Sequence, residues 1–262
     1  MKRIFASGGS ANDLDGLIAS DVRAGHNLRY AENHDERRAA SPVTAGDPGN
    51  SGFGSTEGGF AVTALMHLLG PDPVLLYNGQ EIGEPALGAE GFGGDDGRTS
   101  IFDYWAMPEF AKWVNGHAYD GAGLSDVQQG LRRRYATLWA LRQEPAFAQG
   151  EFFSIQSANQ TAGEYGDQGR WVYGFVRTDS SQGRSFLVVV NLSPAHAYQP
   201  HLRLPSEALT RTRLPRDGTA IELNDRLSSF SARGSGSELL STGVQIDLLP
   251  SSVRVLELRA AP

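Results

Sequence analysis

Apolar and polar positions follow two different periods along this chain. In the first half, residues 27–31 (NLRYA) read as a short strand that runs into a dense polar cluster. Residues 56–69 then predict a helix, with Phe60, Ala61, Ala64, Leu65, Leu68 and Leu69 at helical spacing and Gly70-Pro71 as the stop. Residues 74–77 (VLLY) form an apolar run of the kind buried in parallel sheets. Residues 124–143 predict the strongest helix. Ser125 and Gln128 make a capping-box pair, and Leu124, Val127, Leu131, Tyr135, Leu138 and Leu141 line one face. Strand, helix, strand, helix in that order predicts βα units beside a parallel sheet.

The second half alternates with a period of two. Trp171, Tyr173 and Phe175 interleave with Val172, Gly174 and Val176, which predicts a half-buried strand. Residues 185–192, 245–249 and 253–258 predict further strands, separated by turn residues at short intervals, so an antiparallel sandwich is expected. The change of period falls near Glu144-Pro145, where a proline ends the long helix. The expected fold class is α/β plus all-β, with residues 1–145 as one domain and 146–262 as the other.

Composition narrows the partners. The chain has 262 residues, 40% hydrophobic and 20% charged, which suits a folded globular protein and excludes a disordered one. With no cysteine, disulfides and thiolate metal sites are impossible. A formal net charge of −7 argues against nucleic acid or an anionic membrane as main partner, and no apolar run reaches the ~20 residues of a membrane span. The segment behind Lys2 and Arg3 is too short for the apolar core of a signal peptide, so the compartment stays open. Seven glycines between Gly79 and Gly97 predict a long irregular loop.

The densest polar cluster is Glu32-Asn33-His34-Asp35-Glu36-Arg37-Arg38, directly after the first predicted strand. In parallel α/β folds, residues at the C-terminal ends of strands face the site. The residues alone leave two readings open: a functional turn, or a solvated turn in which Asn33 or Asp35 caps a following helix. The lone histidine here has no second histidine at ligand spacing, Asp95-Asp96 lack calcium-loop spacing, and no nucleotide or nucleophile-elbow motif occurs. Neither a metal nor a cofactor is expected.

Several of these segments resemble one family. Tyr30-Ala31-Glu32-Asn33-His34-Asp35 is similar to the strand-seven motif of the α-amylase family, glycoside hydrolase family 13. Residues 75–83 (LLYNGQEIG) resemble its strand-eight motif, Arg98-Thr99 its cleft-reaching Arg-Thr loop, and the β-rich second half its C-terminal β-domain. The resemblance implies a partial (β/α)8 TIM barrel, its last strands and helices, followed by an antiparallel β-sandwich domain. It also implies retaining hydrolysis or transfer at α-glucosidic bonds, with an α-glucan or maltooligosaccharide as substrate.

By motif position, Asp35 matches the third carboxylate, which stabilises the transition state, and His34 the sugar-hydroxyl-binding histidine. Asn33, Arg98 and Trp105 are candidate substrate-binding residues, with bracing, ion pairing and core packing as their alternatives. Gln80 and Glu81 are expected to shape the loop. The family's nucleophile lies in a G-x-R-x-D motif and its acid is a glutamate, both well ahead of N-H-D. No G-x-R-x-D occurs in this chain. The expectation is therefore a C-terminal portion, inactive alone, that pairs with a separate N-terminal half or with itself. The rival expectation is a non-catalytic α-glucan-binding or interaction module using Trp171, Tyr173 and Phe175.

Overall fold

The computed structural model describes residues 1–24, 27–87, 98, 107–160, 168–179, 181 and 183–261. In chain order its elements are α1 (Lys2–Ala6), α2 (Leu14–Ala24), β1 (Arg29–Tyr30), α3 (Thr56–Leu68), β2 (Val74–Leu75), α4 (Pro108–Val114), α5 (Asp126–Arg142), α6 (Pro145–Ala148), β3 (Glu151–Ser154), α7 (Gln168–Trp171), β4 (Val172–Asp179), β5 (Arg184–Asn191), β6 (His201–Leu202), α8 (Ser206–Thr212), β7 (Ala220–Asp225), β8 (Ser231–Ser235), α9 (Gly236–Leu240), β9 (Val244–Gln245) and β10 (Ser252–Ala260). They gather into two units. The first holds Met1–Gly9, Leu28–Met66 and Pro73–Trp139; the second holds Ser10–Asn27, His67–Asp72 and Ala140–Pro262. Among the described residues no helix is long and apolar enough to cross a membrane.

In the first unit β1 and β2 pair in parallel, Arg29 opposite Val74 and Tyr30 opposite Leu75, joined through α3. Both strands are shorter than the sequence predicts, and among the described residues each pairs only with the other. Helix α3 is apolar nearly all round and is buried accordingly: Phe60, Ala61, Ala64 and Leu65 are inaccessible to solvent. A glycine at position 58 lets its first turn approach a neighbouring loop, since a Cβ there would stand 2.1 Å from the Phe53 carbonyl oxygen. Phe60 meets Tyr135 of α5 edge to face, with ring centroids 5.0 Å apart.

The start of α5 agrees with the sequence expectation. The Ser125 amide donates to Gln128 Oε1 at 3.1 Å and the Gln128 amide donates to Ser125 Oγ at 3.3 Å. Leu131, Tyr135, Leu138 and Leu141 are buried, but Val127 is 77% exposed and leaves the predicted apolar face.

The second unit is built on a six-stranded antiparallel sheet in the order β3-β4-β5-β10-β7-β8, with a separate β6–β9 ribbon. Val172, Val176, Leu187, Val189 and Leu256 share one core with Leu202, Val244 and Leu209 of the ribbon and α8. The opposite face is buried too. Phe147 of α6 packs on Phe186 at 4.9 Å, and the Tyr173 hydroxyl donates to Asp15 of α2 at 2.7 Å. Strand β4, predicted to be half-buried, is therefore covered on both faces. Its Arg177 donates to the carbonyls of Leu69, Ala146, Phe147 and Gly150, which gives this buried cation acceptors drawn from three separate turns. Arg142 likewise donates to the carbonyls of His67 and Gly70, the free end of α3. The molecule is thus mixed α/β, with an antiparallel sheet and helices.

Candidate functional site

The polar cluster after β1 folds into a tight turn organised by its own side chains. Asn33 Oδ1 accepts from the amides of Asp35 at 2.9 Å and Glu36 at 3.1 Å, so Asn33 braces the turn in the manner of an Asx motif. That bracing turns the next two side chains outward. His34 Nε2 lies 3.3 Å from Asp35 Oδ2, and the two side chains are 50% and 78% exposed. Glu36, the next carboxylate, is held by Lys2 at 2.5 Å.

The two ends of the cluster are buried, which the sequence did not signal. Glu32 and Arg38 are 1% and 0% exposed and form an ion pair at 2.9 Å. The second Glu32 oxygen accepts from the Ala39 amide. Burial raises the Glu32 carboxyl above its ordinary pKa, and the Arg38 guanidinium beside it pulls in the opposite direction.

Arg38 also reaches the loop after β2. It donates to the carbonyls of Asn78 at 2.8 Å and Glu84 at 3.3 Å, and its guanidinium lies 4.8 Å from the centre of the Tyr77 ring. Gly79 makes room for it: φ is +85°, and a Cβ would stand 3.1 Å from Arg38 Nη2. The turn after β1 and the loop after β2 are thereby stapled together at the C-terminal ends of two parallel strands.

The loop after β2 is structural on its inner side. Gln80 is buried, donating to Thr63 at 2.7 Å and accepting from the Tyr77 amide at 3.2 Å, so it shapes the loop as expected. Glu84, a residue that sequence reasoning missed, is buried and accepts from the amides of Ala86, Glu109 and Phe110, the last two at the first turn of α4. Its signal was available as an acidic residue ahead of a Pro-initiated helix, but 25 residues separate the partners. Arg98 is half-buried. Trp105 lies outside the described residues. Tyr173 and Phe175 are fully buried and present no ring for stacking, whereas Trp171 is half-buried with Arg170 over its ring. Among the described residues, no cluster of three or more His, Asp or Glu side chains is arranged to hold a metal ion.

Comparison with solved structures places the whole chain on one known architecture. It aligns over 100% of its length with 46% of an α-amylase from Geobacillus thermoleovorans, solved with acarbose, at 15% identity and a TM-score of 0.57. The fold is of the α-amylase type. The same α-amylase-type fold recurs in a γ-CGTase from alkalophilic Bacillus clarkii (17% identity, TM-score 0.54, 99% of this chain and 31% of that one). It recurs again in an isomaltulose synthase from Klebsiella sp. LX3 (18% identity, TM-score 0.54, 95% and 47%). Identities this low establish the fold, and the chain spans less than half the length of each of these enzymes. No family model and no curated protein matches the sequence.

Proposed function

We propose that this chain is the C-terminal part of an α-amylase-like retaining glycoside hydrolase, with Asp35 as the transition-state-stabilising carboxylate and His34 beside it on sugar hydroxyls. Residues 1–145 are read as the last strands and helices of a TIM barrel and residues 146–262 as a β-sandwich domain. The observation that carries the reading is the outward-facing His34–Asp35 pair, 3.3 Å apart, on the turn after a parallel strand in a chain of α-amylase-type fold. An exposed carboxylate and imidazole at that spacing can hydrogen-bond vicinal hydroxyls together. Such contacts tighten as a sugar ring flattens toward an oxocarbenium ion, so they lower the barrier more than they strengthen ground-state binding. Asn33 acts through the turn geometry, and Arg98 and Trp105 remain candidates for substrate contact from the loop beyond β2.

Retaining chemistry also needs a nucleophile and an acid about 5 Å apart. The neighbouring carboxylates are already engaged, Glu32 with Arg38 and Glu36 with Lys2, and the chain has no G-x-R-x-D. On this reading the 262 residues by themselves bind α-glucan weakly and turn nothing over, and a further polypeptide supplies the missing groups. Incubation of the purified chain with an aryl α-maltoside is expected to release no aglycone above buffer. Saturation-transfer NMR with maltoheptaose is expected to show contacts that Asp35→Asn and His34→Ala each weaken several-fold. Turnover that Asp35→Asn abolishes would overturn the inactivity; sugar contacts untouched by both substitutions would overturn the site.

A further inference from the structure

We propose that His117 and Tyr119, on the loop between α4 and α5, form a docking platform for a neutral sugar chain, an α-glucan strand held away from the turn that carries Asp35. The choice of glucan rests on the proposed function; the platform rests on the loop itself.

Segment 115–121 (NGHAYDG) is largely exposed yet fixed. The amides of Ala118, Tyr119 and Gly121 donate to the carbonyls of Asn115, Val114 and Trp113 at 3.2, 3.0 and 3.2 Å. Asp120 Oδ1 accepts from Asn115 Nδ2 at 2.8 Å and from the Ala122 amide at 3.0 Å, which ties the two ends of the loop together. Gly121 lies against Trp113, where a Cβ would stand 2.6 Å from the ring. A loop with this many internal bonds has little freedom left to lose when a ligand binds.

Inside that frame the backbone is left-handed at both ring-bearing positions, with φ +75° at His117 and +54° at Tyr119. Residues with a Cβ adopt that conformation rarely and at an energetic cost. No core packing offsets it: Tyr119 is 59% exposed, more than any other aromatic side chain among the described residues. Backbone strain of this kind concentrates where a side chain is held for a ligand. What the loop displays is a pair of rings, with centroids 6.2 Å apart and planes inclined at 58°. Among the described residues, neither the Tyr119 hydroxyl nor the His117 ring nitrogens have a hydrogen-bond partner.

Chemistry selects the occupant. The face of an aromatic ring carries partial negative charge and attracts the polarised C–H bonds on one side of a pyranose. The phenol hydroxyl and the imidazole can then donate to, and accept from, the hydroxyls around the sugar's rim. Residues 115–124 include no lysine or arginine, and their single carboxylate is engaged within the loop, so no counter-charge recruits nucleic acid or a charged peptide. The neighbours Gly116, Ala118, Gly121 and Ala122 are small, which leaves a flat approach for an extended polymer.

Position links the platform to the turn after β1. Glu84 accepts from the first amides of α4, and Gln128 near the start of α5 donates to the Ile82 carbonyl at 3.4 Å. Glu84 and Ile82 both belong to the loop after β2, which leaves the same strand ends as the turn bearing His34 and Asp35. A glucan strand gripped at Tyr119 is thereby kept at raised local concentration near that turn.

Affinity electrophoresis of the purified chain in native gels with and without soluble starch tests this. The expected result is retardation by starch, with Tyr119→Ala and His117→Ala each raising the apparent dissociation constant about fivefold or more. Tyr119→Gly relieves the left-handed backbone and should melt no lower than wild type, so retardation lost in that variant is lost contact and not unfolding. Retardation that survives Asp35→Asn but not Tyr119→Ala supports the platform, even where sugar contacts at Asp35 fail. Retardation that Asp35→Asn abolishes and Tyr119→Ala leaves intact overturns the platform while the Asp35 site stands. A wild-type chain that starch does not retard overturns the platform as well.

Discussion

At the scale of single residues, the Glu32–Arg38 pair is the least replaceable polar contact near the site. Both side chains are buried, and Arg38 is shared among Glu32, two carbonyls and the Tyr77 ring. Removing one partner strands the other charge away from water, which costs about 3–5 kcal/mol. Glu32→Gln and Arg38→Met are each expected to destabilise the protein by that order in urea titrations. The double variant is expected to be less unstable than the sum of the two, and simple additivity would show that the pair is not coupled. His67 sets a pH dependence. Burial, aided by Arg142, lowers its pKa from 6.5 to about 4. The unfolded chain takes up a proton near 6.5 that the folded chain refuses until about 4, so stability is full above 6.5 and declines as pH falls toward 4. Between neutral pH and pH 5 this one group accounts for a loss of about 2 kcal/mol. His67→Leu, compared with wild type by urea unfolding at the two pH values, should remove about that much of the acid sensitivity; an unchanged difference would exclude His67 as its source.

At the scale of elements, periodicity and caps decided more than residue type. Helix α5 begins where its capping pair dictates, and Ser125→Ala is expected to cost about 1 kcal/mol of stability, read as a lowered melting temperature. Gln128→Ala should add little beyond it, because the two side chains act as one cap. Helices α3 and α5, strands β5 and β10 and the stop at Gly70-Pro71 were all legible, because each depends on neighbours within a turn or two. Strand β4 was read as half-buried because alternation reports the chemistry of its side chains and not how many layers cover them. Its second cover, Phe147 and Asp15, comes from far along the chain. Helix α2 was missed for a related reason. Its Asp15 is the acceptor for Tyr173 and Ser154, which lie 158 and 139 residues away along the chain.

At the scale of the whole molecule, pairing is uneven. Strands β5 and β10 run beside each other through the middle of the six-stranded sheet, while β1 and β2 form a two-residue ladder. Native-state hydrogen exchange should therefore find the slowest amides at residues 186–190 and 253–258 and far faster ones at 74–77, since opening energy tracks burial and pairing. Slow exchange at 74–77 would contradict that ranking.

By itself the sequence determined helices α3 and α5, strands β5 and β10 and the change of period near Glu144-Pro145, and it singled out the N-H-D turn as a candidate. These are local properties, written in spacing and caps. Only the tertiary structure decided that Glu32 and Arg38 are buried while His34 and Asp35 face outward. It alone decided that Asn33 braces the turn, that Tyr173 and Phe175 are core, and that β1 and β2 pair in parallel. Charge in a sequence states what a side chain can do. Whether it does so in water or in the core depends on partners far along the chain, 46 residues away for the Glu84 carbonyl that receives Arg38 and 158 for the Tyr173 hydroxyl that donates to Asp15.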